Sequence, residues 1–341
     1  MGHIVTSSDL STLQIRIDHH SAVHRAAEAA RTRARQCGLL GSLPDRAAVL
    51  ASELASNLDK HARDGAIHLQ PLVLGQGLEI LAVDRGPGIP DLGKALTDGY
   101  TTTATLGAGL GAIRRIATDF TIRSLPGTGT VACAQLTPPG ERPKTSQDIG
   151  SACLAVDTEE HCGDARAIAD TDTARTAIVV DGLGHGPRAA EAAQTALRAF
   201  HRAPDQPLPV LITALHRALR RTRGAAVGIM RLHQDRAQYC GIGNVRALVL
   251  SHDTVHHRLT GQPGVVGWDI PPPRQHVIPL SPDATAVLHS DGIDERWAHA
   301  PSPFLHQLPP ALLAAAVVHN HRRNRDDATF LAARAQRHPH A

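Results

Sequence analysis

The stretch from Thr137 to Gln147 is the feature that most restricts how this chain can fold. It is polar and rich in proline, and it has no hydrophobic periodicity, which is typical of a connection between domains. The 341 residues suffice for about two domains that each bury a core. Because no internal repeat relates the two halves, we predict two different modules, residues 1–137 and 151–341, joined by a linker at 138–150.

The composition argues against binding to nucleic acid. Lys and Arg outnumber Asp and Glu by only 35 to 32, and the chain holds two Trp, two Tyr and four Phe. It therefore lacks both the positive charge and the aromatic stacking surfaces that such a function uses. The arginine clusters at 220–223 and 322–325 are interpreted as solvated faces.

Three further features predict a cytoplasmic protein with no membrane partner. The five cysteines are scattered and never spaced as Cys-x-x-Cys, which favours reduced thiols. The longest apolar run, Ala311 to Val318, is too short to span a bilayer. No charged and then apolar leader opens the chain.

The first half is expected to place helices on one face of a mixed sheet, because its predicted helices precede its predicted strands. The helices are expected at residues 22–36 and 46–61, and the strands at residues 67–74, 78–83, 120–125 and 130–136. On the second helix, an apolar residue recurs every fourth position from Leu50 to Leu58, and Glu53 and Asn57 share another face. The apolar stripe is expected to pack, which leaves the polar pair free to act unless it is only an exposed helix face.

Two glycine-rich segments follow this helix. Asp84 precedes Gly86 and Gly88, and the segment Gly107-Ala-Gly-Leu-Gly111 opens a predicted helix that reaches Asp119. Glycines at the start of a helix leave backbone amides free to hold phosphate. The ordered set of polar helix face, Asp-x-Gly-x-Gly and glycine-rich helix start indicates a nucleotide site.

Over residues 10–137 the sequence resembles the Bergerat-type (GHKL) ATPases, in particular the RsbT-type anti-sigma and switch serine kinases. The motifs that carry the resemblance are Ala51-Ser-Glu-Leu-Ala-Ser-Asn57, Asp84-Arg-Gly-Pro-Gly-Ile89, Asp98-Gly-Tyr100 and Pro126-Gly-Thr-Gly-Thr130. The resemblance implies that Glu53 is the general base, that Asn57 ligates the Mg²⁺ on ATP and that Asp84 accepts a hydrogen bond from the adenine amino group. It further implies ATP contacts from Gly86, Gly88, Gly107, Gly109, Leu110, Gly111 and Thr130, with residues 107–111 as the phosphate lid.

In the second half, Val179 to Gly186 is predicted to be the end of a buried strand and a tight glycine turn. A helix follows with Pro187 at its first position. Many short strands with helices inserted in pairs favour two packed sheets flanked by helices, so the chain as a whole is expected to be α+β. Four acidic residues stand at predicted element ends or turns, namely Asp164, Asp181, Asp291 and Asp326. Oxygen-only ligands indicate Mg²⁺ or Mn²⁺ rather than Zn²⁺, although each aspartate alone could equally cap a helix or a turn.

These residues, with Gly241-Ile-Gly-Asn-Val245 and Gly264-Val-Val-Gly-Trp268, resemble the SpoIIE-like branch of the PPM serine/threonine phosphatases, including short RsbX-like stressosome members. The resemblance implies an α-β-β-α sandwich in the second half and a Bergerat α/β sandwich in the first. It also implies that Asp181 bridges two Mn²⁺ or Mg²⁺ ions with help from the Gly182 carbonyl. The remaining ligands would be Asp164, Asp291 and Asp326, with Asp327 as an open alternative to Asp326.

The combined motifs predict a bifunctional regulator. One half would phosphorylate serine or threonine on a STAS-domain antagonist protein, and the other would remove such phosphates, which would control a sigma factor or another downstream regulator. Two alternatives stay open: the first domain is a non-catalytic ATP-binding docking module, or the protein is an anti-sigma factor that binds sigma directly.

Overall fold

The computed structural model describes residues 11–96, 109–141, 146–251, 254–299 and 302–336. They form two compact units, one built from Thr12–Ser146 and the other from Gln147 onward. The linker was predicted to reach residue 150, whereas the first strand of the second unit already begins at Ile149.

The first domain contains four helices and five strands within its described residues. In chain order these are β1 Leu13–Ile17, α1 Ser21–Gln36, α2 Leu43–His61, β2 Gly65–Pro71, β3 Leu78–Val83, α3 Leu92–Ala95, α4 Gly109–Ile116, β4 Asp119–Leu125 and β5 Gly129–Leu136. The long helices α1 and α2 cover one face of the sheet, where Leu50 and Leu54 of α2 join a core with Ile67 of β2 and Ile80 of β3. Burying this apolar stripe is what holds the helices on the sheet.

The sheet of the first domain has the order β1-β2-β3-β5-β4, and every described pairing is antiparallel. It therefore differs from the mixed sheet that we predicted. The physical reason is the β4–β5 hairpin, which inserts β5 between β3 and β4, the two strands that run in the same direction. The helix that follows the glycine-rich segment was predicted to reach Asp119. In the structure it ends at Ile116, and Asp119 is already the first residue of β4.

The second domain has two five-stranded antiparallel sheets. Its elements are β6 Ile149–Leu154, β7 Asp164–Asp170, β8 Arg175–Gly182, α5 Pro187–Arg202, α6 Leu208–Leu219, β9 Ala225–Leu232, β10 Arg236–Ile242, β11 Arg246–Leu250, β12 Val255–Thr260, β13 His276–Pro279, β14 Thr285–His289, α7 Arg296–His299, α8 Pro303–His306, α9 Pro310–His321 and β15 Ala328–Ala333. One sheet has the order β13-β10-β9-β8-β7 and the other β12-β11-β14-β15-β6. Helices α5 and α6 pack on the first sheet, and α9 packs on the second.

The α+β class and the α-β-β-α layering predicted for the second half are confirmed. The sequence analysis missed β1 and β12, both of which are edge strands. In β12 exposed and half-buried residues alternate along Val-His-His-Arg-Leu-Thr, so the strand has no apolar run to mark it. Edge strands pair on one side only and need less apolar surface than central ones.

Candidate metal centre and nucleotide site

The end of β8 forms a strand, turn and helix corner around Asp181. The strand ends at Gly182, and α5 begins at Pro187 directly after Gly186, whose φ is +76°. A Cβ atom on Gly182 would lie 2.5 Å from the carbonyl oxygen of Ala189. Only glycine lets the strand end approach the first turn of α5 this closely.

Asp164 lies opposite Asp181 in the antiparallel β7–β8 ladder. The Oγ atom of Ser290 donates a hydrogen bond of 2.6 Å to Oδ2 of Asp164. Ser290 Oγ in turn accepts a hydrogen bond of 2.9 Å from the amide of Thr329. Asp164 is buried, so its orientation is set by this chain of contacts.

Asp291 and Asp326 belong to the other sheet. Asp291 follows the end of β14, and Asp326 precedes the start of β15. Because β14 and β15 are antiparallel neighbours, the end of one lies beside the beginning of the other. The amide nitrogen Nδ2 of Asn244 donates a 2.7 Å hydrogen bond to Oδ2 of Asp291. The fold thus brings all four predicted aspartates to one end of the sandwich.

Burial and mutual repulsion raise the pKa values of three aspartates in this cluster. Burial, followed by the charges of Asp291 and Asp326, raises the pKa of Asp181 to about 8. Burial and then the charge of Asp181 raise the pKa of Asp164 well above its usual range. The pKa of Asp326 is raised by burial and by Asp291. Carboxylates that resist ionisation together are stabilised as anions by a cation placed among them.

The donor set fits a hard divalent cation, since it consists of carboxylate oxygens with a nearby backbone carbonyl at Gly182. Within the described ranges, however, no three His, Cys, Asp or Glu side chains converge into a closed ligand cage. The observations that support a metal site are therefore the placement of the four carboxylates and the raised pKa values of Asp164, Asp181 and Asp326.

Asp327 is held in a different way from Asp326. Its Oδ1 and Oδ2 atoms accept hydrogen bonds of 2.8 Å from the amides of Val156 and Gly163. Asp326 accepts a bond from the amide of Asp327 and is less buried. The carboxylate of Asp327 thus ties the loop before β7 to the strand start at β15, and the carboxylate of Asp326 has no comparable backbone contacts among the described residues.

The sequence analysis assigned no role to Ser290 or Asn244, and it considered Asp327 only as an alternative metal ligand to Asp326. The signal for Asn244 was its place in the Gly241-Ile-Gly-Asn-Val245 motif, and that for Ser290 was its place directly before Asp291. The arginine cluster at 322–325 was interpreted as solvated, which is wrong for Arg322. Its side chain is only 5% exposed and pairs with Asp157 at 3.0 Å.

In the first domain, Glu53 and Asn57 lie one turn apart on α2 and are partly exposed, whereas Leu50 and Leu54 on the other side of this helix are buried. Helix α4, which begins at Gly109 and includes Leu110 and Gly111, packs against α2. Gly107 and the motif at 98–100 lie outside the described residues.

Asp84 directly follows β3, and the next glycine, Gly86, lies close to the end of α2 at His61. Its Oδ1 atom accepts hydrogen bonds from the amides of Gly86 at 2.6 Å and Thr130 at 3.3 Å. Burial raises the pKa of Asp84, and these two bonds lower it. Gly88 has a φ of +72°, and a Cβ atom there would lie 2.5 Å from the carbonyl oxygen of Leu125, so this close turn also requires glycine.

Comparison with known proteins finds two separate similarities. The family described as Stage II sporulation protein E (SpoIIE) matches residues 172–336, which include three of the four aspartates. The serine/threonine-protein kinase RsbT of Bacillus subtilis (strain 168) is 42% identical over 81 residues, which are 23% of this chain and 61% of RsbT. The chain thus spans less than two thirds of the length of that relative. We therefore call the part of the chain similar to RsbT the RsbT-like domain, and the part that matches the SpoIIE family the SpoIIE-type domain.

Solved structures are also similar to this chain. The structure described as "The bacterial stressosome: a modular system that has been adapted to control secondary messenger signaling" has a TM-score of 0.51 and 28% identity. The match covers 55% of this chain and 98% of the chain in that structure. A structure of RsbX in complex with magnesium has a TM-score of 0.48 and 19% identity, and the match covers 57% of this chain and 98% of the chain in that structure.

The resemblances recognised from the motifs are confirmed, and each half of the chain resembles an enzyme. None of the helices in the described part of the chain has the length and apolar character needed to cross a bilayer.

Proposed function

We propose that the SpoIIE-type domain is a metal-dependent phosphatase of phosphoserine and phosphothreonine in proteins. The observation that carries this proposal is the register of Asp164 opposite Asp181 at the corner where Asp291 and Asp326 also lie. Asp181 with the Gly182 carbonyl, and Asp164, Asp291 and Asp326, would hold two Mn²⁺ or Mg²⁺ ions. Such ions, when bound, lower the pKa of a water and polarise a phosphoryl oxygen.

The protein side chains around the aspartates supply positioning. Ser290 donates to Asp164 and Asn244 donates to Asp291, so each contact keeps one carboxylate oxygen aimed in a fixed direction. Substituting residues that orient the ligands in this way typically lowers metal affinity about 10–100-fold. The choice of Asp326 over Asp327 is supported by the two backbone hydrogen bonds that occupy Asp327.

The RsbT-like domain is proposed to be an ATP-dependent serine/threonine kinase of a STAS-domain antagonist protein. Glu53 would accept the proton of the substrate hydroxyl, Asn57 would ligate the Mg²⁺ of ATP, and Asp84 would accept from the adenine amino group. The remaining ATP contacts would come from Gly86, Gly88, Gly107, Gly109, Leu110, Gly111 and Thr130. This assignment is supported by the similarity to RsbT and by the packing of α4 on α2.

Together the two activities would form a partner-switching regulator in the cytoplasm, in which the phosphorylation state of the STAS protein sets the activity of a sigma factor or another downstream regulator. The stressosome-related structure supports a setting of this kind.

The proposal is tested by incubating the intact protein with labelled ATP and candidate STAS proteins, and then with Mn²⁺ and the phosphorylated product. We expect transfer that is lost in Glu53→Ala and dephosphorylation that is lost in Asp181→Asn, while Asp181→Asn still binds ATP. Transfer undiminished in Glu53→Ala would contradict the kinase assignment. ATP binding without transfer to any STAS protein would favour the docking module, and co-purification with a sigma factor would favour the anti-sigma alternative.

A further inference from the structure

Trp268 is an exposed aromatic residue close to the carboxylate cluster. It lies in the connection between β12 and β13, and 63% of its surface is exposed. Neither its exposure nor its position is required by the proposed metal site. Large exposed aromatic side chains are characteristic of interaction surfaces.

The backbone around Trp268 is firmly held. Val266 and Ala225 exchange two backbone hydrogen bonds of 2.9 and 3.0 Å, and the amide of Gly267 donates to Nδ1 of His216 at 3.2 Å. A Cβ atom on Gly267 would lie 2.9 Å from the carbonyl oxygen of Leu219. The connection is therefore fastened to β9 and to α6, and it presents the indole from a fixed base.

Gly224 links the indole to the candidate metal centre. A Cβ atom on Gly224 would lie 3.4 Å from Cδ1 of Trp268, so the ring lies against this glycine. The Gly224 carbonyl accepts a 3.1 Å hydrogen bond from the amide of Leu183, which is only two residues after Asp181. Trp268 thus lies beside the corner where the phosphoryl group would bind.

Arg223 lies next to the turn that follows Asp181. Its Nη1 atom is 3.1 Å from the position of a Cβ atom on Gly184, in the turn that follows Asp181. Arg223 is exposed and forms no ion pair with a described residue, as is also the case for Arg220 and Arg221. An arginine without a protein partner beside a phosphate site attracts the acidic groups of a substrate.

We propose that Trp268 and Arg223 form a recognition surface for the polypeptide that flanks the phosphorylated residue. An apolar side chain of the substrate would stack on Trp268, and an acidic side chain would pair with Arg223. The surface would select phosphoproteins with acidic and apolar residues next to the phosphorylated serine or threonine. This inference rests on the proposed phosphatase function.

The test compares three substrates of the full chain in Mn²⁺. The first is p-nitrophenyl phosphate, which has no polypeptide. The second is a phosphoserine peptide with Leu and Asp on both sides, and the third is a matched peptide with Ser and Lys in those positions. We expect the unaltered protein to prefer the Leu and Asp peptide.

Trp268→Ala and Arg223→Ala are each expected to lower kcat/KM for that peptide about tenfold more than kcat/KM for p-nitrophenyl phosphate, as for a central contact of an interface. Val210→Ala, which removes a half-exposed apolar side chain from α6, should change neither value. Equal losses on all three substrates, no loss on any, or no preference between the peptides would overturn the recognition surface. A protein that hydrolyses none of the three would overturn the phosphatase assignment itself.

Discussion

The Oδ2 atom of Asp327 accepts a 2.8 Å hydrogen bond from the backbone amide of Gly163, the residue before Asp164. The same carboxylate accepts a second bond from Val156. The two neighbouring aspartates thus have different surroundings. Asp327 binds the backbone of the loop that carries Asp164, whereas the carboxylate of Asp326 lies near the other aspartates of the cluster. This difference leads to the first prediction.

Asp327→Asn should destabilise the second domain by about 1–3 kcal/mol, because one buried backbone amide loses its acceptor oxygen. Asp326→Asn should keep or raise the stability in EDTA and lose Mn²⁺-dependent phosphatase activity. Urea unfolding followed by tryptophan fluorescence measures the stability, since both Trp268 and Trp297 belong to this domain. The reverse pattern would assign the ligand role to Asp327.

Ser290→Ala should weaken Mn²⁺ affinity about 10–100-fold. The hydroxyl group donates the 2.6 Å hydrogen bond that orients Asp164, and the alanine variant lacks this donor. Titration of Mn²⁺ by calorimetry gives the affinity without relying on activity. Ser281→Ala, at an exposed position between β13 and β14, is the matched control, and equal affinities in the two variants would contradict the assigned role.

The metal-free protein should lose stability as the pH rises, through the raised pKa of Asp181. That pKa is about 8 in the folded state and about 3.9 in an unfolded chain. Between these values the folded state binds more protons, so the free energy of unfolding decreases with increasing pH. Asp181→Asn removes the titrating group. In EDTA its stability advantage over the unaltered protein should grow between pH 5 and pH 8 and be constant above that. An advantage that shrinks over the same range would be inconsistent with a buried, repelled carboxylate.

Gly182→Ala should destabilise the second domain by about 1–3 kcal/mol, because the added methyl group forces the backbone apart. The new Cβ would lie 2.5 Å from the Ala189 carbonyl oxygen and 2.7 Å from that of Gly163. Fluorescence-detected unfolding should separate this variant from the unaltered protein, and similar midpoints would show that the β8–α5 corner can relax.

Asp84→Asn should lower ATP affinity about tenfold or more, since an NH2 donor would replace the oxygen that accepts from the adenine amino group. Its Oδ1 atom is already fixed by the amides of Gly86 and Thr130, which leaves the other oxygen for a ligand. Equilibrium binding of a fluorescent ATP analogue measures the effect. Asp45→Asn changes an exposed carboxylate of α2 and should leave the affinity unaltered; equal affinities in both variants would exclude Asp84 from the nucleotide site.

Most long elements were predictable because their apolar periodicity is strong. Helix α1 begins at Ser21 and was predicted from residue 22, and β3 has the predicted bounds. The elements that the sequence did not predict depend on tertiary contacts rather than on apolar periodicity. The edge strands β1 and β12 need little apolar surface, and the antiparallel pairing of β3 with β5 depends on where the β4–β5 hairpin returns to the sheet.

By itself the sequence determined the two-module organisation, the corner around Asp181 and the order of the acidic residues, since glycine, proline and apolar spacing act locally along the chain. Only the tertiary structure decided which groups face each other. It placed Asp164 opposite Asp181, and it gave Asp327 its backbone contacts with Val156 and Gly163. It also placed Trp268 against Gly224. Such contacts join residues far apart in the chain, and they depend on strand register and close packing, which no local pattern records.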